Sequence, residues 1–434
     1  MKTTKLLDAI ERLGLRLPES GSGRNGRILS SDLENVIATH YARQYIKRRE
    51  AEGATSHGFS MRRALGDVQL AARFDQLKPA VQAAVLDSDA WALEEKYDGC
   101  RIVLCYHPEE GFTAFGRNKS VQTFLPVEYT NKILIPVRHA GLTHFQPLTA
   151  FSYIYKRPFI LDCEVLTKGL IEHADGYWSA SHLNAVTALL AMDAEESRAL
   201  QRTDAPLQIV PFDILSVENM GSADAPVINT AVPFQRRREE LVKFCNESGL
   251  FKPSELWLVN KRQRLEALLN SGKEGGMLKN LRQPYRCAVA RRRFPDTCIK
   301  YKRTMTYARA SDIDAYIIGY TLGDEYTPKG LIAGLKLGVQ LVKSDGTVEP
   351  DYWIATVSGL PLELRRAMSH MDSDGKVILR PEYYGRVVTV DGQDISGRNR
   401  RISHARIDWE IGFRIDKRPE DCLLDEDFMD SQIF

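Results

Sequence analysis

A lysine and an aspartate lie two positions apart between apolar runs in the stretch EEKYDGCR, residues 94–101. Alternate side chains of a β-strand share a face, so we expect Lys96 and Asp98 to point the same way. The apolar residues on both sides, from Trp91 to Leu104, predict that this face is partly enclosed. A lysine in such a place is either the partner of a carboxylate or a nucleophile, since burial and nearby positive charge favour its neutral amine.

Charged residues recur inside other apolar, strand-like runs. Asp162 and Glu164 interrupt FILDCEVL, and Asp213 follows Phe212 in IVPFDIL. Unpaired buried charge is costly, so these groups should face one another or a charged ligand in a shared cleft. Any one of them is also compatible with a simple ion pair between strands. The remaining members of the set are Glu274, Lys279, Lys300, Lys302, Arg414, Asp416 and Lys417.

In order and spacing, this set resembles the nucleotidyltransferase motif series of the ATP-dependent DNA ligases, which RNA ligases and mRNA capping enzymes share more distantly. The resemblance covers residues 96–417. Two departures stand out: EGGMLK has a glycine where the family usually has an apolar residue, and FDILSVENM lacks the family's tyrosine. The matching motifs are Lys96-Tyr97-Asp98-Gly99 with Arg101, Arg117 in FGRNKS, Asp162-Cys163-Glu164, Phe212-Asp213, Glu274 to Lys279, Lys300 to Lys302, and Arg414 to Lys417.

The resemblance implies a three-step reaction with Lys96 as the nucleophile. The lysine attacks the α-phosphate of ATP and forms a lysyl-AMP with release of pyrophosphate. The AMP then passes to the 5′-phosphate of a nick, and the neighbouring 3′-hydroxyl attacks to seal the strand. The attacking amine must be neutral, although free lysine has a pKa of about 10.4. Lys279, Lys300 and Lys302 would favour that form while neutralising the phosphates.

The resemblance also implies roles for the other motif residues. Glu94 would help fix adenine, Phe212 would stack on the base, and Glu164 would hold the ribose hydroxyls. Arg101 and Arg117 would position the ribose and the 5′-phosphate, because a guanidinium matches phosphate oxygens. Asp98 would act in the later steps. Arg414 and Lys417 would swing onto the nucleotide to orient pyrophosphate, about a hinge near residues 305–312.

Carboxylates among these motifs suggest Mg²⁺, which prefers oxygen ligands and shares them with substrate phosphates. Glu274 is the first candidate ligand and Glu164 the second. The seven cysteines are scattered and never spaced C-x₂-C, so we expect neither a zinc site nor a disulfide framework. This also disfavours the NAD-dependent ligases, which carry a four-cysteine zinc module.

Composition points to a globular protein that acts inside a cell on a polyanion. Apolar content is 43%, no apolar run approaches the roughly 20 residues of a membrane span, and the first residues do not read as a signal peptide. The net charge is only +2, but basic clusters recur. The resemblance implies a monomer that binds nicked double-stranded DNA, and it leaves the pathway, whether replication, repair or end joining, open. The clusters are KRR at 47–49, RRR at 236–238 and 291–293, and RNRR at 398–401.

The elements needed to position these residues predict an α+β chain of three domains. Residues 1–62 have helical periodicity around a glycine-rich loop, with an N-cap signal at residues 30–32 and a linker at 52–60. Residues 63–308 mix strands and helices, as expected of an adenylation domain built on antiparallel sheets. Residues 309–434 read as short strands with glycine turns, typical of an OB-fold β-barrel.

Two alternatives remain open. An RNA ligase or capping-type enzyme would share the same chemistry, and the motifs do not encode the sugar contacts that distinguish DNA from RNA. A nucleic-acid-binding scaffold without catalysis is the alternative from another class. Retention of Lys96, Glu164, Glu274, Lys300 and Lys302 argues against the scaffold.

Overall fold

The computed structural model describes residues 2–431 except for short segments, and the chain forms two compact units. One unit holds most of residues 6–302 and the other most of residues 303–434. The boundaries drawn from the sequence stay predictions, since compactness does not show which segment folds alone. The segments outside the description are 24–25, 140, 153, 168–170, 173–177, 180–181, 220–225, 272, 289–291, 303–309, 324–329, 393–394, 397–398 and 410–411.

Three helices begin the chain: α1 (Lys2–Arg12), α2 (Ser30–Ala51) and α3 (His57–Leu65). Leu6 and Ile10 of α1 pack against Leu33 and Ile37 of α2, as the periodicity predicts. Of residues 30–32, which gave the N-cap signal, Asp32 makes the capping contacts. Asp32 accepts the backbone N–H of Leu29 at 2.7 Å and that of Ser22 at 3.0 Å, so the carboxylate caps the helix and closes the glycine-rich loop.

The rest of the first unit contains fifteen strands and five helices among its described residues. The helices are α4 (Pro79–Asp87), α5 (His182–Ala191), α6 (Ala194–Thr203), α7 (Phe234–Ser248) and α8 (Lys261–Asn270). The strands are β1 (Ala72–Arg73), β2 (Trp91–Glu95), β3 (Cys100–His107), β4 (Gly111–Lys119), β5 (Pro126–Glu128), β6 (Leu134–His139), β7 (Leu142–Pro147), β8 (Phe159–Thr167), β9 (Ile171–Glu172), β10 (Trp178–Ser179), β11 (Leu207–Glu218), β12 (Val227–Ile228), β13 (Leu256–Trp257), β14 (Gly275–Asn280) and β15 (Cys298–Lys302).

These strands form two main sheets and two hairpins. The first sheet has the order β1-β15-β14-β2-β13. Strands β1 and β15 pair in parallel, and the other pairs are antiparallel. The second sheet has the order β12-β11-β8-β3-β4-β5 and is antiparallel throughout. The pairs β6-β7 and β9-β10 form the hairpins. Strands β2 and β3 follow each other in sequence but belong to different sheets.

The second sheet is buried on both faces, which explains the continuous apolar run of β3. Ile102 and Leu104 face a core shared with α5 and α7. Val103 and Cys105 face the opposite side, where they meet α2 and α3. The predicted linker at 52–60 is therefore too long. Residues 57–60 already belong to α3, and Phe59 is buried beneath the sheet because its ring finds apolar partners there.

The second unit is dominated by one sheet of long strands. Its strand order is β18-β17-β16-β21-β24, with β25 parallel to β17, and β19-β20 and β22-β23 pair separately. Alternate residues such as Leu335, Leu337 and Val339 fill its core. The elements are β16 (Ala310–Leu322), β17 (Ile332–Val342), β18 (Val348–Ser358), α9 (Leu362–Met368), β19 (Ser369–Met371), β20 (Val377–Leu379), β21 (Val387–Gly392), β22 (Ile395–Ser396), β23 (Arg401–Ile402), β24 (Arg406–Ile407), β25 (Leu423–Asp425) and α10 (Glu426–Ser431).

No helix in the described part of the chain has both the length and the apolar character of a membrane span.

The packing of α3 on β4 decides whether the substitution Gly58→Ala lowers or raises the free energy of unfolding. A β-carbon on Gly58 would lie 1.8 Å from Thr113 Oγ1, so we expect Gly58→Ala to lower the free energy of unfolding by about 2 kcal/mol through overpacking. If α3 were not packed there, the same change would stabilise the helix by about 0.5–1 kcal/mol. Urea denaturation measures the difference. The double variant with Thr113→Ala should recover part of the loss, and simple additivity would contradict the contact.

Candidate active site

The KYDG motif crosses from one sheet to the other. The expectation that Lys96 and Asp98 share a strand face is wrong, because β2 ends at Glu95 and β3 begins at Cys100. The backbone N–H of Lys96 still donates to Gly275 O at 2.9 Å, which fixes the start of the crossing. A β-carbon on Gly99 would lie 2.4 Å from Val165 O, so the crossing passes too close to β8 for a side chain there.

Lys96 contacts Glu274 at one end of the strands of the first sheet. Its Nζ forms an ion pair with Glu274 Oε2, and Lys302 Nζ lies 2.7 Å from Oε1 of the same carboxylate. Lys96 follows the end of β2, Glu274 precedes the start of β14, and Lys302 ends β15. Because β14 pairs with both β2 and β15, the register of the strands brings these three residues together. The Glu274 side chain is only 5% exposed, so the charge it shares is largely shielded from water.

Lys300 lies near the same end of these strands and adds positive charge there. Burial is the largest cause that lowers its pKa, followed by the nearby charges of Lys302, Arg293 and Lys96, and together they bring it to about 8. The alternation of Lys300 and Lys302 on β15 therefore places both in one electrostatic neighbourhood, as the sequence predicted. A polyanion such as a triphosphate would be attracted to this group.

Glu164, on β8, is a largely buried carboxyl in the neighbourhood of Lys96. Burial raises its pKa to about 7, and the positive charges of Lys96 and Arg101 only partly offset that effect. An ionised carboxylate in this position lacks enough compensating charge. The site therefore has capacity for a further cation or for hydroxyl donors.

A second group forms around Glu94, deeper in the same sheet. Glu94 is 2% exposed; one of its oxygens lies 2.7 Å from Lys279 Nζ, and the other accepts the Ser254 hydroxyl at 3.0 Å. Arg238 lies 3.6 Å from the Ser254-bound oxygen. The Glu94 side chain is thus engaged within the protein, and its strand pairs with β13 on one side and β14 on the other.

Phe212 lies beside this group. Lys279 Nζ donates to Phe212 O at 2.9 Å and lies 4.6 Å from the centre of the ring. The Arg101 guanidinium lies 5.4 Å from the same centre. Phe212 is only partly buried, so it is not a plain core residue. Two cations at an aromatic ring make it a suitable surface for a planar, electron-rich ligand.

Arg101 is fixed by a buried network that the sequence predicted only in part. Its Nε donates to Asp162 Oδ1 at 2.8 Å, its Nη1 donates to Gln69 O at 2.8 Å, and Tyr285 donates its hydroxyl to Asp162 Oδ2 at 2.7 Å. Burial alone would lower the pKa of Arg101, but the Asp162 carboxylate outweighs it and raises the pKa. Sequence reasoning missed Tyr285 and Gln69, since a lone tyrosine or glutamine carries no motif.

The basic cluster at 236–238 is mostly internal, which corrects its assignment to a polyanion surface. Arg237 is 4% exposed and donates to both oxygens of Asp213, at 2.7 and 3.0 Å. Arg238 contacts Glu94 and Ser254, and only Arg236 is well exposed. The helical spacing of α7 gave the signal, because its apolar residues predict which arginines face inward.

The glycine departure in EGGMLK has a packing reason. A β-carbon on Gly276 would lie 2.6 Å from Leu93 Cδ1 and 2.9 Å from Leu265 Cδ1. These leucines fill the space that an apolar side chain would take, so β14 remains paired on both sides.

The remaining predicted residues are Asp98, Arg117, Arg414 and Lys417. Arg117 is exposed at the end of β4, and Asp98 is half-buried within the crossing. Arg414 and Lys417 belong to the second unit, where Arg414 donates to Asp416 at 2.7 and 2.9 Å and lies 3.1 Å from Asp314, with which Lys417 also pairs. The structure thus groups Lys96, Glu164, Glu274, Lys300 and Lys302, and beside them Glu94, Lys279, Phe212 and Arg101.

The fold agrees with what comparison with known proteins finds. Among solved structures, Pmar-Lig_PreS3 shares the fold at a TM-score of 0.51, with 14% identity over 90% of this chain and 76% of that chain. A Lig E DNA ligase (16% identity, 79% of this chain, 99% of that chain) and the bacteriophage T7 ATP-dependent DNA ligase in complex with ATP (15%, 79%, 98%) also match, with TM-scores of 0.45 and 0.36. No curated protein matches the chain.

A family model described as the ATP dependent DNA ligase domain matches residues 68–302, more than half of the chain. That range contains every motif residue from Glu94 to Lys302. The chain therefore belongs to the ATP-dependent DNA ligase domain family.

Proposed function

We propose that the protein is an ATP-dependent DNA ligase that seals nicks between a 5′-phosphate and a 3′-hydroxyl. The observation that carries this proposal is that Lys96, Glu274 and Lys302 come together at one end of the strands of the first sheet. All three residues lie inside the range that matches the family. An amine held beside a carboxylate and two further lysines suits attack on a phosphate. A scaffold without catalysis would have no need of a paired, partly buried lysine in this position.

In the first step Lys96 Nζ attacks the α-phosphorus of ATP. A P–N bond forms, the bond to the β-phosphate oxygen breaks, and pyrophosphate leaves. Glu274 holds Nζ in place before the attack, and Lys300 and Lys302 neutralise charge on the phosphates. In the second step the AMP moves to the 5′-phosphate of the nick and Lys96 is regenerated. In the third the 3′-hydroxyl attacks that phosphate and AMP leaves.

The group around Glu94 is our proposed nucleotide pocket. Phe212 would stack on adenine, and the backbone near Glu94 would read its edge. Lys279 keeps Glu94 buried and ordered by their ion pair at 2.7 Å. Glu164 and Arg101 would hold the ribose, while Arg117 would bind the 5′-phosphate, supported by its exposure at the end of β4. Asp98 would act in the steps after adenylation.

Magnesium fits the donor set of the site. Glu164 is the better-supported ligand, because a buried carboxyl with a pKa near 7 is short of positive charge. Both oxygens of Glu274 pair with lysines, so Glu274 would bind the ion only after releasing one of them. When bound, the ion would neutralise phosphate charge.

The second unit is proposed to be an OB-fold that binds the DNA backbone and carries Arg414 and Lys417. Within this unit Arg414 pairs with Asp314 and Asp416, and Lys417 pairs with Asp314. Both residues would exchange these partners for pyrophosphate oxygens. The hinge predicted near 305–312 falls largely in residues 303–309, which lie outside the described part of the chain. We further propose an intracellular monomer whose macromolecular substrate is nicked duplex DNA.

Covalent labelling tests the first step. Incubation with α-labelled ATP and magnesium should label the protein, and Lys96→Ala should abolish the label while leaving the melting temperature within a few degrees. Lys78→Ala, an exposed lysine at the start of α4, is the control and should label normally. A label that forms only with GTP would point to capping chemistry, and no label under any condition would contradict the proposal.

Nick sealing tests the substrate. With the adenylated protein we expect a 5′-phosphate nick in duplex DNA to be sealed at least tenfold faster than the same nick in duplex RNA. Gel analysis of labelled strands measures both rates, and a 5′-hydroxyl nick serves as the control without reaction. Equal or faster sealing of RNA would overturn the assignment to DNA.

Glu164 gives a pH prediction. Between about pH 4.5 and 7 the folded protein keeps the Glu164 proton that the unfolded chain releases, so stability falls as pH rises through this window. Glu164→Gln removes this penalty. Without nucleotide or metal, the variant should gain about 2 kcal/mol over the wild type between pH 4.5 and pH 8, by urea denaturation. Glu266→Gln, an exposed control on α8, should show no such gain. A parallel pH profile for E164Q and wild type would refute the assignment.

A further inference from the structure

Arg62, on helix α3, is a fully buried arginine that pairs with no carboxylate through any hydrogen bond or ion pair found in the described residues. Its relative exposure is 0%, burial lowers its pKa, and its Nε has no hydrogen-bond partner. Its other nitrogens donate to backbone carbonyls: Nη1 to Gly66 O at 2.6 Å, and Nη2 to Gly116 O at 3.3 Å and Arg117 O at 3.5 Å. A buried guanidinium without an acid is costly, so packing alone does not account for it.

Two of the three carbonyls that Arg62 holds, those of Gly116 and Arg117, belong to the segment that presents Arg117. Helix α3 and the turn after it contact β4 along its length. Gly58 abuts Thr113, the rings of Phe59 and Phe115 lie 6.3 Å apart, and Asp67 pairs with Lys119 at 3.0 Å. The backbone on either side of Arg117 is thus fixed from α3, although Arg117 itself points to solvent.

The same N-terminal segment also reaches Arg101, the arginine that we assign to the ribose. Gln69 O accepts Arg101 Nη1 at 2.8 Å, and the N–H of Gln69 donates to Tyr285 at 3.1 Å. Gly116 pairs with Ile102, so Arg117 follows in register next to Arg101 on the neighbouring strand. Residues 62–69 therefore set the backbone at one arginine and the side chain at the other.

We propose that Arg62 is a positioning residue that holds Arg117 for the 5′-phosphate monoester of a nucleic-acid strand. The inference rests on the proposed function of Arg117. Arg62 lies before residue 68, where the family match begins, so it extends the substrate-binding machinery into the N-terminal helices. The planar fork of the guanidinium fixes adjacent carbonyls, which neither an apolar side chain nor a lysine would do.

Arg62→Met, which keeps the apolar stem and removes the donors, tests this role. Self-adenylation should stay within about threefold of wild type, since Arg62 contacts none of the residues around Lys96. Single-turnover transfer of AMP to a 5′-phosphate nick should slow by about 10- to 100-fold, the cost expected of a misplacement near 1 Å. Preference in binding for a 5′-phosphate over a 5′-hydroxyl nick should fall in parallel.

Coupling with Arg117 separates positioning from a general loss of structure. The double variant R62M/R117A should transfer AMP no more slowly than R117A, because Arg62 acts through that residue. Arg63→Met, an exposed neighbour on α3, is the matched control and should behave as wild type. Arg62→Lys, which retains charge and length but not the fork, replaces R62M under the same criteria if R62M fails to fold.

Two results would overturn the inference while the ligase activity stands: AMP transfer by the Arg62 variant as fast as by R63M, or losses that multiply in the double variant. Failure of the wild type to form any adduct would be a different result, since it removes the proposed function itself.

Discussion

Compensation of buried charge is the constraint on which the active site depends. Burying a lysine, an arginine or a carboxylate without a partner costs several kcal/mol, so each charged residue of this site must face another. Lys96 and Lys302 share Glu274, Lys279 neutralises Glu94, Arg101 holds Asp162, and Arg237 holds Asp213. The two sheets bring these partners together from six strands and one helix. A ligand with negative phosphates can enter such a network by replacing carboxylates that already face cations.

The same constraint divides the site into a fixed part and an exchangeable part. Asp162, Asp213 and Glu94 are almost fully buried and saturated by partners within the protein, so they define geometry. Glu164 and Lys300 differ, because burial moves the pKa of each towards neutrality and leaves their charges incompletely balanced. These are the groups whose state a nucleotide or a cation changes most. Glu274 lies between the two classes, since it is saturated by the two lysines to which we assign roles in the proposed reaction.

The sequence predicted the cluster around Lys96 but not the residues that support it. Charged residues in apolar runs indicated that cluster, and strand-like apolar runs indicated β3, β8, β11 and β15. It could not show that Lys96 follows a strand rather than occupying one, because the end of β2 is set by tertiary pairing with Gly275. Tyr285, Ser254 and Gln69 act through hydrogen bonds with residues distant in sequence, which no local pattern encodes. The inward turn of Arg237 and Arg238 is set by which face of α7 packs.

Both faces of the second sheet are covered by other elements, and the N-terminal helices α2 and α3 cover one of them. Val103, Cys105 and Phe115 have no other apolar shield in the described chain than the cluster that includes Ala42, Phe59 and Leu65. A minimal fragment trimmed to the family-matched range would present this underside to water as a contiguous hydrophobic patch, and would tend to self-associate. Any effort to shorten the protein for use as a reagent must therefore redesign that surface with polar residues or keep the helices.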